Sequence, residues 1–389
     1  MAFERIAAAL NERQVQGYLR RRRTVEQDHQ GIITLDGQHY LNFASNDYLG
    51  MRQDQQVLQA WVEGLAAFGG GSGASPLVTG HSLAHQRLED YLATGLNREA
   101  AILFNSGFAA NQALCHALFS EPGNVLCDKF MHASFLEGAM TSKARLRRFH
   151  HNDLGHLTQL LSKHREDDTL VATESVFSMD GDCSPLQGIA NCCRQSQSWL
   201  MVDEAHAMGV SGETGLGLVE QMSLTQQDVA IVMGTFGKAV GTAGAFIAGS
   251  RELIDYLVNF ARHYVYSTAL PPAQAHATLV SLQLIAQGQM RSVLEENIEF
   301  FKREAAIKGF TLSPSDSAIQ PLIIGDPAGA LAFSEALKKR GVWVPAIRYP
   351  TVPRHTDRLR ITLSSIHSKA DIQALVDALC LARDEVLAQ

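Results

Sequence analysis

Hydrophobic and polar positions alternate along the chain in blocks that predict a layered α/β fold. Between about residue 46 and residue 285, short apolar runs alternate with stretches whose apolar residues recur at helical spacing. Short, continuous apolar runs are typical of strands buried on both faces, as in parallel sheets covered by helices. The runs lie at residues 101–104, 170–173, 200–202, 231–233 and 245–248. The pattern therefore predicts a mostly parallel central sheet flanked by helices.

The two ends of the chain differ from this central part. The N-terminal residues combine helical apolar spacing, a basic run at residues 20–23 and a short strand pattern at 32–35. Beyond about residue 290, a long polar helix precedes further strand and helix patterns, which indicates a smaller α/β domain. We therefore expect an N-terminal arm (1–45), a large domain (46–287) and a C-terminal small domain (288–389), since 389 residues exceed what one core usually serves.

Composition narrows the class of protein. The chain is 46% hydrophobic and 19% charged, with a net charge of -7, which argues against general affinity for nucleic acid. The sequence has neither a signal-peptide pattern nor an apolar stretch of about 18 residues, so we expect no membrane span and a cytoplasmic protein. The six cysteines form no C-x-x-C pair, and we expect them to be reduced thiols.

Polar side chains follow the predicted strands where ligands of an open parallel sheet gather. Asp203 follows one apolar run, and a buried acid there needs a cationic partner such as a protonated pyridine nitrogen. Lys238 follows the next run, with Thr235 three residues before it. A lysine in such a pocket loses its proton more easily, as Schiff-base chemistry requires. Residues 105–108 lead into a helix whose N-terminus suits a phosphate, although a plain turn is the alternative.

Two other motifs in the chain would imply a different chemistry. Residues 203–206 spell the D-E-A-H box of helicases, but a P-loop would need glycine at position 232 and Ser or Thr at 239, where Val232 and Ala239 stand. A zinc site built on His150, His151 and His156 lacks matching cysteine or carboxylate spacing, so we expect surface histidines and no metal.

A set of short motifs resembles the α-oxoamine synthase family of fold-type I pyridoxal-phosphate (PLP) enzymes, and the resemblance runs essentially from end to end. The motifs lie at residues 45–50, 69–73, 106–111, 132–134, 177–181, 202–206, 235–238 and 266–268. The resemblance implies the PLP-dependent transferase fold, with a mostly parallel sheet, a smaller C-terminal domain and an N-terminal arm. It also implies a homodimer with active sites shared between subunits.

The resemblance assigns roles around the cofactor. Lys238 is expected to bind PLP covalently and later to serve as the base at the amino acid's α-carbon. Asp203 is expected to hold the pyridine nitrogen protonated, His206 to bond the phenolic oxygen, and His132 to stack on the ring and touch the substrate. The remaining expected cofactor contacts are Gly107, Phe108, Ser178, Thr235 and, from the neighbouring subunit, Thr268.

Within the family, residues 19–22, 270–275, 317–323 and 346–348 resemble the biotin-pathway members. These join L-alanine to a pimeloyl thioester, carried on coenzyme A or on acyl carrier protein, with loss of carbon dioxide. Arg348 is expected to clamp the alanine carboxylate, and Arg20 to meet the distal carboxyl group of the pimeloyl chain. Asn46 and Thr351 complete the expected substrate contacts.

Several alternatives stay open. A solvated basic turn is the other interpretation of residues 20–23. A glycine-using relative that makes 2-amino-3-oxobutyrate or 5-aminolevulinate would share the fold and cofactor. A catalytically dead scaffold would share the fold alone, although Lys238 argues against it.

Overall fold

The computed structural model describes residues 3–16, 18–163 and 168–387. The strands are β1 (Gln27–His29), β2 (Ile32–Leu35), β3 (Gln38–Asn42), β4 (Ala100–Phe104), β5 (Gly123–Asp128), β6 (Ala144–Phe149), β7 (Thr169–Glu174), β8 (Trp199–Asp203), β9 (Ile231–Thr235), β10 (Ala245–Gly249), β11 (Ile319–Ile323), β12 (Val342–Trp343), β13 (Ala346–Ile347) and β14 (Arg358–Thr362). The helices are α1 (Arg5–Val15), α2 (Gln55–Phe68), α3 (Leu83–Gly95), α4 (Gly107–Leu118), α5 (Ala133–Thr141), α6 (Leu154–Leu161), α7 (Leu186–Gln195), α8 (Leu218–Gln221), α9 (Arg251–Phe260), α10 (Arg262–Val265), α11 (Pro272–Ile285), α12 (Gln289–Ile307), α13 (Pro327–Lys338) and α14 (Lys369–Leu387). The first two residues of the predicted N-terminal helix lie outside the described residues.

The central sheet has, within the described chain, seven strands in the order β4-β10-β9-β8-β7-β5-β6. Strands β9, β8, β7, β5 and β6 pair in parallel, whereas β10 is antiparallel to both of its neighbours. The prediction of a mostly parallel central sheet is confirmed, with β10 as the one reversed strand among those described.

Both faces of this sheet are buried, which explains the continuous apolar runs. Because successive side chains of a strand point to opposite faces, neighbours in β8 enter different cores. Leu200 and Val202 belong to the core on one face, while Met201 belongs to the core on the other. The carboxyl ends of the strands are therefore fixed between two packed layers, which gives a rigid base for a site.

Two smaller sheets bring the ends of the chain together. One sheet consists of β11, β14 and β13. The other consists of the arm strands β1, β2 and β3, with β12 at its edge next to β3. β12 pairs in parallel with β3, Val342 opposite Leu41, so the arm is attached to the C-terminal part of the chain. Gly288, which has a left-handed backbone conformation with φ 85°, lies between α11 and α12. It is close to the predicted boundary between the two domains, and that boundary stays a prediction.

None of the described helices combines the length and the hydropathy needed to cross a membrane.

Candidate active site

A cleft of about 190 Å³ lies at the carboxyl ends of β7, β8 and β9, beside the N-terminus of α4. The sheet directs polar side chains into it because the strands end there on one edge. Its lining includes most of the residues predicted around the cofactor. The lining residues are Gly107, Phe108, Asn111, His132, Ser134, Glu174, Asp203, Ala205, His206, Met233, Thr235 and Lys238.

Lys238 is half-buried in the cleft, just beyond the end of β9. Burial lowers the pKa of its ammonium group, the carboxylates of Asp203 and Glu174 oppose this shift, and the charge of Arg360 adds to it. The neutral amine, which is the nucleophilic form, is therefore easier to reach than in a solvated lysine. This matches the environment expected for a lysine that attacks an aldehyde carbon.

Asp203 ends β8 and is only 3% exposed. Its Oδ1 accepts a hydrogen bond from the N–H of Ala205 at 2.9 Å, and its Oδ2 accepts one from Asn111 Nδ2 at 3.3 Å. Asn111 Nδ2 also donates to Ser134 Oγ at 3.0 Å, so α4 and α5 together fix the carboxylate. Two neutral donors leave much of the charge uncompensated, and a cation in the cleft would complete the site.

His132 caps the N-terminus of α5. Its Nδ1 lies 2.8 Å from Ser134 Oγ and also accepts from the Ser134 N–H at 3.3 Å, which fixes the ring. Burial lowers the pKa of His132; the Asp203 carboxylate opposes this and Lys238 adds to it. A neutral ring that lines the cleft suits stacking on a flat aromatic ligand.

His206 and Tyr48 form a buried pair on another wall. His206 Nδ1 lies 2.7 Å from the Tyr48 hydroxyl. Burial, together with the charges of Lys238, Arg360 and His132, lowers the pKa of His206 well below its usual value. Burial raises the pKa of Tyr48 to about 12, against the charge of Arg360. Both groups are therefore neutral near pH 7 and act through hydrogen bonds.

The N-terminus of α4 has the properties of a phosphate site. Ser106 caps the helix by accepting from the Ala109 N–H, and the N–H groups of Gly107 and Phe108 fall in the first turn, where a helix supplies no carbonyl acceptor. A Cβ at Gly107 would lie 2.6 Å from Thr235 Cγ2, so any larger residue would displace the Thr235 side chain. Thr235 Oγ1 is buried without a hydrogen-bond partner in the described part of the chain.

Arg360, in β14, brings a second cation to this region, and the sequence analysis missed it. Its Nε donates to the carbonyl oxygen of Ser178 at 2.7 Å, and both terminal nitrogens lie 3.2 Å from Asn46 Oδ1. The side chain is 6% exposed, and its charge lowers the pKa of both His206 and Lys238. Ser178 and Asn46, both predicted site residues, thus meet at Arg360.

Six predicted residues are absent from the cleft lining: Asn46 and Ser178, which meet at Arg360, and four others. Thr268 lines a separate pocket, and its carbonyl oxygen accepts from Asn105 Nδ2 at 2.8 Å. Arg20 and Thr351 are exposed, and Arg348 is half-buried beside β13. Their roles stay predictions: Thr268 is expected to act across a dimer interface, and the other three on the substrate.

Glu174 is a further site residue that was not predicted from the sequence. It ends β7 directly beside Asp203 in register, and Glu174 Oε1 is buried without a hydrogen-bond partner among the described residues. Burial, and then the negative charge of Asp203, raises the pKa of Glu174 well above its usual value. Strand β7 continues to Glu174, so a predicted strand extended by one residue beyond 170–173 would have included it.

The residues present fit PLP. The cleft combines a lysine of lowered pKa for the aldehyde, the Asp203 carboxylate for a protonated ring nitrogen and a neutral histidine for the ring face. Two features suit the phosphate. The Thr235 hydroxyl has no hydrogen-bond partner among the described residues, and the N-terminus of α4 lies beside it at Gly107.

Comparisons with known proteins agree with this geometry. The aminotransferase class I and II family profile matches residues 38–379. An 8-amino-7-oxononanoate synthase of Aliivibrio fischeri (strain MJ11) is 48% identical over 91% of this chain and 92% of its own. One from Vibrio cholerae is 47% identical over 96% of both chains.

Solved structures give the same result. Serine palmitoyltransferase from S. paucimobilis, solved with bound PLP, superposes with a TM-score of 0.92 at 27% identity, covering 100% of this chain and 98% of that one. The 8-amino-7-oxononanoate synthase of Francisella tularensis gives 0.76 at 30% identity, covering 88% and 97%. The chain therefore belongs to the aminotransferase class I and II family of fold-type I, PLP-dependent enzymes, in which its curated relatives are 8-amino-7-oxononanoate synthases.

Proposed function

We propose that this enzyme condenses L-alanine with a pimeloyl thioester, releasing carbon dioxide and the thiol carrier, to give 8-amino-7-oxononanoate for biotin biosynthesis. The observation that carries the proposal is Lys238, with its lowered pKa, in one cleft with Asp203, His132 and His206. Relatives that are 45–48% identical over nearly the whole chain support this substrate pair.

Lys238 is the group that moves the proton. When bound, PLP draws electrons away from the α-carbon of an attached amino acid and so makes its hydrogen acidic. Lys238, with its pKa lowered by burial, takes this proton as a neutral amine and returns one after the thioester has reacted. Burial in the cleft also keeps water away from the carbon that must attack the acyl group.

Three further side chains hold the reacting groups. Asp203, fixed by Asn111 and the Ala205 N–H, would keep a proton on the ring nitrogen of PLP. His206, hydrogen-bonded to Tyr48, would hold the phenolic oxygen, and His132 would stack on the ring. Because these groups are fixed by neighbouring hydrogen bonds, little reorganisation is needed during the reaction.

The substrate carboxyl groups need cations. Arg360, braced by Asn46 and the Ser178 carbonyl, is the buried guanidinium whose charge acts on Lys238 and His206, and it can bind the alanine carboxylate. Arg348 and Thr351 stay candidates for the same carboxylate or for the acyl chain. Arg20, exposed on the arm, is proposed to meet the distal carboxyl group of the pimeloyl chain.

We also propose that two copies of the chain share their sites. The surface near Thr268 exposes large apolar side chains, with Tyr266 76%, Val78 73% and Leu77 53% exposed. A second copy that covered this patch would remove it from water and could bring its Thr268 to the neighbouring phosphate. All six cysteines are free thiols, which fits a reducing cytoplasmic compartment.

The direct test is Lys238→Ala, with the exposed Lys143→Ala as the matched control. The Lys238 variant should lose turnover and the visible absorption of lysine-bound PLP together, while the Lys143 variant keeps both. A Lys238 variant with full activity would refute the proposal. Assays with glycine in place of alanine separate the glycine-using relatives, because a clear preference for glycine would reassign the substrate.

A further inference from the structure

The imidazole of His151 lies between carboxylates from two separate segments. Its Nδ1 is 3.0 Å from Asp128 Oδ1, at the end of β5, and its Nε2 is 2.8 Å from Asp182 Oδ2. The same Asp128 oxygen accepts from the Phe130 N–H, and the Asp182 oxygen accepts from Asn152 Nδ2. Both carboxyl oxygens therefore act as acceptors, so both ring nitrogens of His151 must donate, which only the imidazolium can do.

The surroundings agree with a fixed charge on His151. Burial lowers the pKa of His151, but the hydrogen bonds and charges of Asp128 and Asp182 outweigh this effect and raise the pKa to about 10. The ring packs against Phe130, with centroids 4.5 Å apart, and edge-on against Phe177 at 4.4 Å. Its side chain is 22% exposed, so the expectation of a surface residue is wrong for His151, whereas His150 is 71% exposed.

Asp182 belongs to a turn, residues 177–183, that also carries Ser178. The Phe177 N–H donates to the Asp182 carbonyl at 3.0 Å, and the Gly181 N–H donates to the Phe177 carbonyl at 2.8 Å. Gly181 has φ +71°, and a Cβ there would collide with the Ile319 carbonyl oxygen. The turn is thus closed on itself and pressed against β11.

The C-terminal part of the chain holds the opposite side of the 177–183 turn. Arg360 Nε donates to the Ser178 carbonyl at 2.7 Å, and Arg358 forms an ion pair with Asp180 at 2.6 Å. The Ser315 hydroxyl donates to the Gly181 carbonyl at 3.0 Å. Any displacement of the turn therefore moves Ser178 and Arg360 together relative to the cleft.

We propose that His151 is a positioning residue: its imidazolium ties the end of β5 to the 177–183 turn and so holds Ser178 and Arg360 in place for cofactor and amino-acid binding. The inference rests on the proposed function, because Ser178 is a proposed PLP contact and Arg360 a proposed carboxylate ligand. His151 touches neither ligand; it acts through the turn.

The test compares three variants of the full-length protein. H151Q removes the cation but keeps a polar side chain. H151R keeps the charge and has enough N–H groups to donate to both carboxylates. H150Q changes the exposed neighbour, whose ring packs on His156 with centroids 4.1 Å apart, and serves as the control. PLP dissociation constants are measured by titrating the apoprotein, and KM and kcat for alanine are measured on the loaded enzyme.

We expect H151Q to raise the PLP dissociation constant and the alanine KM by about tenfold each, because the variant loses a hydrogen bond to a charged group. The value of kcat should change less. H151R should recover most of both constants, and H150Q should match the wild type. Wild-type constants in H151Q, or no recovery in H151R, would overturn the inference. If H151Q does not fold, D182N replaces it, with the same expectations. Failure of the wild type to bind PLP would instead refute the proposed function.

Discussion

Glu174 and Asp203 lie side by side, in register, at the carboxyl ends of the parallel strands β7 and β8. Both are nearly inaccessible, at 3% exposure each. Two adjacent buried carboxylates repel each other, and burial followed by the charge of Asp203 raises the pKa of Glu174 well above its usual value. Burial and the charge of Asp203 therefore favour the protonated form of Glu174, while Asp203 faces the cofactor cleft.

Glu174→Gln tests this division of charge. An amide resembles a protonated carboxyl group in shape and has no charge, so we expect PLP affinity and turnover within about fivefold of the wild type, less than about 1 kcal/mol. The measurement is an apoprotein titration with PLP followed by steady-state kinetics. A loss of more than about a hundredfold in kcat would mean that an ionised Glu174 is required.

Asp203→Asn separates cofactor binding from cofactor activation. The amide can still occupy the site formed by Asn111 and the Ala205 N–H, but it cannot stabilise a protonated ring nitrogen. We expect PLP to bind while exchange of the alanine α-hydrogen with solvent slows by about a hundredfold or more. Asp384→Asn, at an aspartate that is 71% exposed, is the control. Unchanged exchange in Asp203→Asn would show that the assignment is wrong.

Arg360→Lys and Arg348→Lys together locate the amino-acid clamp. Arg360 is 6% exposed, is braced by Asn46, and lowers the pKa of Lys238 and His206 through its charge, whereas Arg348 is half-buried beside β13. Because lysine cannot donate a parallel pair of hydrogen bonds, we expect Arg360→Lys to raise the alanine KM about tenfold or more. The effect of Arg348→Lys should be smaller. The reverse order would return the clamp to Arg348, as the sequence resemblance implied.

His367 should make the fold sensitive to acid. Burial lowers the pKa of this ring to about 4, below the value of about 6.5 in an unfolded chain. Between these values the unfolded chain binds the extra proton, so stability present above about pH 6.5 is lost as the pH falls towards 4. When the pH is lowered from 6.5 to 4.5, the free energy of unfolding should decrease in both proteins. The decrease should be about 2 kcal/mol smaller in His367→Gln than in the wild type.

Chemical denaturation at several pH values measures this difference. The pKa of Glu204, raised to about 7 by burial, contributes with the opposite sign, because the folded state then binds the extra proton. That contribution is common to both proteins and cancels in the comparison. Identical pH profiles would contradict the role of His367.

The sequence predicted the fold where physical signals were local. The runs at 101–104, 170–173, 200–202, 231–233 and 245–248 all became strands because both faces of the sheet are covered. Strand β6 was not predicted because it is polar and contains no continuous apolar run. Its arginines give it the pattern of a strand with one exposed face. The reversal of β10 also has no local signal, because direction depends on how the preceding connection crosses the sheet.

The missed site residues depend on contacts that are distant in sequence. Arg358 and Arg360 alternate with apolar residues, a pattern typical of a half-exposed strand, yet both are buried because the 177–183 turn supplies acceptors. His151 was expected on the surface because Asp128 and Asp182 lie 23 and 31 residues away along the chain. Asp203 and Lys238 were found because each follows a strand at the edge where ligands bind.

The most direct measurement is to mix the purified, PLP-loaded protein with L-alanine and pimeloyl-CoA and to search for 8-amino-7-oxononanoate by mass spectrometry. Pimeloyl-acyl carrier protein is tested in parallel, so that both thiol carriers of the pimeloyl group are covered. The account predicts product that depends on alanine, on the thioester and on Lys238. Absence of product with both carriers, in protein that binds PLP and alanine, would contradict the proposed reaction.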